Sequence, residues 1–118
     1  MKYLCLSIFL LFACVSFAKT PAPKVWSGYL MDKMCSKRMV GNHDKMVKHS
    51  KTCLTEESCA QSGYGLMTDK KFIPFDAKGN VQAANYIKSA SKESDFQVEV
   101  TGAMKKNKLA VVELKEKK

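Results

Sequence analysis

Three of the chain's five cysteines, both histidines and four of its seven methionines fall between Met31 and Gly65, in MDKMCSKRMVGNHDKMVKHSKTCLTEESCAQSGYG. Thiolate, imidazole and thioether are soft ligands, so the chemistry these residue types suggest first is metal binding. The candidate ligands are Cys35, His49, Cys53 and Cys59, a Cys3His complement known from closed tetrahedral zinc sites. His49 and Cys53 are four residues apart, which on one helix, or on its last turn, sets both side chains on one face. Met31, Met34, Met39 and Met46 lie around them, a donor mixture that suits Cu(I), so copper and zinc are the cofactors to expect. The same methionines also serve as flexible fillers for short helices. His43 precedes His49 by six residues and falls on the far side of any helix they share.

Two other uses of the cysteines compete with a metal. An oxidising compartment favours a structural disulfide, and three cysteines allow three single bridges, each leaving one thiol over. On one continuous helix Cys53 and Cys59 would point about 240° apart, whereas a turn between them brings them together. A leftover thiol suggests a redox role, because Lys33, Lys37 and Arg38 would stabilise a Cys35 thiolate if it were exposed. No Cys-x-x-Cys is present, which counts against thioredoxin-like chemistry. The acids are scattered and Ser27, Ser36, Ser50 and Ser58 lack a nucleophile elbow, so an enzyme is not the expectation.

The compartment is read from the amino terminus. Residues 1–18 carry one early lysine, an uncharged apolar run from Tyr3 to Phe17, and small residues at Ser16 and Ala18, the pattern of a cleaved secretory signal. The run is too short for a stable transmembrane anchor after processing. Cleavage before Cys14, giving a lipid-anchored protein, is the alternative. Residues 19–24, with Pro21 and Pro23, read as an extended linker. The protein is therefore expected to be secreted or periplasmic. Its formal charge of +9 is concentrated in Lys33, Lys37, Arg38, Lys45, Lys48 and Lys51, which face only Asp32 and Asp44. Such a patch attracts a polyanion, an oligonucleotide or an anionic surface, although it serves equally as a solubilising surface.

The remaining chain must position the ligand-bearing stretch. Val25 to Met31 reads as a first strand with Trp26 and Tyr29 on opposite faces and Gly28 at a bulge or close backbone approach. Asn42 caps a helix from His43 to about Thr52, and Thr55 caps a second that leaves at Gly63. Tyr64–Thr68 and Lys71–Phe75 form a hairpin, with Pro74 marking an edge. Asn80 caps a helix to about Ser91 whose apolar stripe is Val81, Ala84 and Ile87. Phe96 to Gly102 alternates strictly, and it pairs through Lys105-Lys106-Asn107 with Leu109 to Leu114.

Five strands with a helix between the third and fourth is the order of a small OB-like barrel, mostly β with helices, spanning residues 25–115 with a helical insert at about 35–63 and a frayed tail at 116–118. An open α+β sheet uses the same elements. An OB-like barrel would offer Tyr29, Tyr64, Phe72 and Phe75 to an oligonucleotide or similar ligand where they reach the surface. A first strand ending in Asp32-x-x-Cys35, followed by a histidine, Cys53, Cys59, Ser62-Gly63-Tyr64-Gly65 and Val100-Thr101-Gly102, resembles a loosely defined group of small secreted bacterial proteins of unknown function. The resemblance runs from about Trp26 to Leu114. It implies an OB-like barrel with a Cys/His-bearing insert and an exported protein, and it implies no activity.

Overall fold

The computed structural model describes residues 21–118, so the expected signal peptide, Cys14 and the first two residues of the expected linker lie outside the described residues, and the linker's last residue, Lys24, belongs to the first strand. Five strands, β1 (Lys24–Asp32), β2 (Tyr64–Met67), β3 (Phe72–Pro74), β4 (Gln97–Lys105) and β5 (Lys108–Glu116), form one antiparallel sheet in the order β3-β2-β1-β4-β5. The architecture is mixed α/β. The first strand is central because it serves two neighbours in turn: Lys24 to Tyr29 pair with β4, and Tyr29 to Asp32 pair with β2. Its switch falls beside Gly28, where a Cβ would run into the Met67 carbonyl oxygen, so the expected close backbone approach is what this glycine provides.

Side-chain alternation divides the apolar residues between two faces. Leu30, Leu66, Ile73, Phe75, Val98, Val100, Leu109 and Val111 face one core, closed by Ala83 and Ile87 of the long helix α5 (Ala77–Ser89) and by Leu54. Tyr29, Met31 and Met67 face the opposite side, where Met46, Met39 and Val47 cover them. Trp26 packs on the first core and Tyr29 belongs to the second, as alternation demands. Pro74 lies in β3, an edge strand, as its missing N–H requires.

The sheet is not a closed ladder. Its two edges meet at one isolated parallel bridge, Phe75 to Leu109, where the Asp76 N–H donates to the Leu109 carbonyl at 3.0 Å.

Between β1 and β2 the chain forms four short helices rather than two: α1 (Lys33–Met39), α2 (His43–Lys48), α3 (Lys51–Thr55) and α4 (Glu57–Ser62). Asn42 caps α2 as expected, its Oδ1 accepting from the Lys45 N–H. The helix stops at Lys48 because Ser50 caps a new one, accepting from the Cys53 N–H at 3.2 Å. The last insert helix ends at Gly63 with φ 91°, a conformation that favours glycine.

The cap of α5 also differs from expectation. Asp76, not Asn80, accepts from the Gly79 N–H at 2.8 Å, which starts the helix four residues earlier and makes its buried stripe Gly79, Ala83 and Ile87. Val81, expected in that stripe, is 61% exposed. The final strand extends to Glu116, which pairs with Val98, so the expected tail contributes one more residue to the sheet.

Candidate metal centre

The site begins at the last residue of β1. Asp32 closes the strand and caps α1: its Oδ2 accepts from the Cys35 N–H at 2.9 Å, which fixes the first turn and brings the Cys35 side chain beside the carboxylate. The other oxygen, Oδ1, is 2.9 Å from Nε2 of His49, the residue that ends α2. Both partners are buried, Asp32 completely. A buried carboxylate needs such partners. Burial pushes the Asp32 carboxyl up, but the hydrogen bonds from His49 and from the Cys35 N–H outweigh it and hold the group below its usual range.

The second thiol arrives on α4. Ser62 joins the end of that helix to the start of α1, its Oγ accepting from the Met34 N–H at 3.1 Å and donating to the Cys59 carbonyl at 2.6 Å. The Lys33 N–H donates to the Gly63 carbonyl at 2.9 Å and strengthens the same junction. The Cys35 and Cys59 sulfurs consequently stand 4.1 Å apart. With an Asp32 oxygen they make a cluster whose three ligand atoms all lie within 4.8 Å of one another.

The three described cysteines are free thiols. Of the three bridges the sequence allows, Cys35 with Cys59 is the one whose partners stand side by side in this cluster.

All four residues singled out in the sequence line one cavity of about 450 Å³, together with Met34, Met39, the basic Arg38 and Lys45 and the acidic Glu56. They do not all converge. The break at Ser50 separates His49 from Cys53, so the pair does not share a helix. Cys53 is exposed and stands outside the three-atom cluster, and no histidine nitrogen joins it. His43 packs edge-on against Tyr29, with ring centroids 5.7 Å apart, on the other side of α2's start.

Two of the sequence expectations meet physical obstacles here. A reactive Cys35 thiolate is disfavoured, since burial, the Asp32 charge and the adjacent Cys59 push this thiol up to about 12. The surrounding lysines and Arg38 are exposed and do not offset these effects. The Cys59 thiol is raised as well, first by burial and then by Asp32. Of the four aromatics expected to serve a ligand, Tyr29, Tyr64 and Phe75 are buried and Phe72 is half-buried, and α2 lies over Tyr29 and Met67 through Met46.

Sequence reasoning missed Asp32 as a site residue. Its signal was a lone acid placed three residues before Cys35, the spacing of an N-cap and its acceptor contact. A larger groove of about 560 Å³ lies between α4 and α5, lined by residues such as Gln61, Tyr64, Val81 and Lys88, and offers no comparable ligand set. Comparison with known proteins returned no matching family, no similar curated protein and no similar solved structure.

Proposed function

We propose that this is a small exported binding protein that takes up one soft metal ion, copper or zinc, in the pocket formed by Cys35, Cys59 and Asp32. The observation that carries the reading is the cluster itself: two thiols and a carboxylate within 4.8 Å of one another, with both cysteines on the wall of a cavity that Met34 and Met39 also line. Thiolates near thioethers select soft cations. Two sulfurs bound to one ion at about 2.3 Å stand about 3.8 Å apart at the tetrahedral angle and about 4.6 Å apart when collinear. The 4.1 Å separation lies inside that window and is twice a disulfide bond length of about 2.05 Å.

Export is supported by the leader pattern of residues 1–18, and among the described residues no helix is long and apolar enough to cross a membrane. An OB-type barrel is the architecture we assign to the sheet. Its supports are the parallel bridge between the β3 end and β5, and the placement of α5 between β3 and β4.

Native mass spectrometry tests the metal. The reduced protein, offered copper or zinc under anaerobic conditions, should retain one ion, and Cys59→Ser should lose it while Cys53→Ser keeps it. An unchanged mass with both metals sinks the reading.

A further inference from the structure

We infer that the ion is monovalent copper, held by the Cys35 and Cys59 sulfurs without the carboxylate; this rests on the soft-metal reading above and narrows it. The argument is a count of free donors. Asp32 is the nearest oxygen donor, yet both its oxygens are engaged, Oδ1 with Nε2 of His49 and Oδ2 with the Cys35 N–H, each at 2.9 Å. Turning either one to a metal would strand a buried imidazole or uncap α1. No histidine nitrogen joins the cluster and Cys53 stands outside it. Two thiols remain.

Zinc completes a shell of four ligands, normally nitrogen, sulfur or carboxylate oxygen. Here it would have to find two more donors; of the other side chains lining the cavity, Met34 and Met39 carry thioethers, which are poor zinc ligands, and the Glu56 carboxylate already accepts from the Ser58 hydroxyl at 3.3 Å. Monovalent copper is satisfied by two or three sulfurs. A sulfur separation of 4.1 Å lets both sulfurs reach one ion at bond lengths of about 2.3 Å. Met34, 47% exposed, lines the same cavity and offers a third sulfur.

Binding exchanges two thiol protons for one Cu(I) and leaves a single negative charge, with no change in oxidation state. Arg38 and Lys45 line the same cavity, outnumber its one acid, Glu56, and suit that charge.

The test uses the reduced protein without oxygen, one equivalent of Cu(I) or Zn(II), a competing dye for each metal, and X-ray absorption at the metal edge. The expected result is one copper withheld from its dye with sulfur alone in the first shell, and zinc held at least a hundredfold more weakly, measured as dissociation constants. Cys53→Ser, at an exposed thiol outside the cluster, should keep the copper stoichiometry while Cys35→Ser loses it, and the absorption spectrum of the unmutated protein reports directly whether oxygen enters the shell. Oxygen or nitrogen in the copper shell overturns the inference, as does tight zinc binding, while either leaves the soft-metal reading standing. Failure to retain either metal removes both.

Discussion

Asp32 is the last residue of a strand, the cap of a helix and the partner of a buried imidazole, and the geometry of the thiol pair depends on it. Its folded pKa is held below the ordinary aspartate value of about 3.9, so between those two values the unfolded chain binds more protons than the folded one. The stability it contributes is complete above about pH 5 and is lost as pH falls through the folded value. In metal-free protein, Asp32→Asn should therefore cost about 3 kcal/mol at pH 7, as expected when one partner of a buried pair is removed. Urea unfolding of both proteins from pH 7 to pH 3 checks this: the gap should narrow with acidification, and a constant gap would show that the carboxylate charge is irrelevant. Of this the sequence shows only the cap spacing Asp32-x-x-Cys35; the buried imidazole partner, seventeen residues on, carries no local signal. Cys35 and Cys59 were visible as soft ligands, but they are twenty-four residues apart and no local spacing rule joins them. Their meeting depends on Ser62 and Gly63 docking one short helix against the start of another.

Elements with strict periodicity were readable and elements with competing caps were not. The alternation of Val98 and Val100 with Gln97, Glu99 and Thr101 announced β4, and its partner followed from the basic turn. Where two capping residues lay four apart, the nearer one to the strand won: Asp76 also accepts from the Val111 N–H at 3.3 Å, which ties the helix start to β5. Asn80 was left inside the helix, and its Oδ1 instead receives the Tyr64 N–H at 2.6 Å. Ser50 likewise divided the helix expected to carry His49 and Cys53 together. The β4–β5 turn offers a test at this scale. Lys106 and Asn107 both have positive φ, 51° and 64°, the requirement of a type I′ hairpin turn. Replacing the pair by Asn-Gly (Lys106→Asn with Asn107→Gly) should stabilise the protein by about 0.5 to 1 kcal/mol, read as a higher denaturation midpoint with an unchanged slope. A lower midpoint would mean that this turn has another geometry.

At the scale of the whole molecule the open question is whether the two sheet edges act as one closed wall. The order β3-β2-β1-β4-β5 leaves β3 and β5 as edges, and an edge amide normally exchanges through local fraying. Here the Asp76 N–H donates across the gap to the Leu109 carbonyl, the Phe75 N–H donates to the Tyr64 carbonyl, and the Asp76 side chain receives the Val111 N–H. Phe75 and Leu109, at the bridge, are both buried in the main core. Pulling the edges apart would therefore expose apolar surface as well as break hydrogen bonds, and the cost would approach that of unfolding the domain. Native-state hydrogen exchange resolves the matter. In a closed barrel the Asp76 and Val111 amides should exchange as slowly as those of Val98 and Val100 in the middle of the sheet, with protection of about 10⁴ for a global stability near 5 kcal/mol and the same response to denaturant. Exchange at Asp76 that is a hundredfold faster and insensitive to denaturant would make the molecule an open sheet whose edges merely touch.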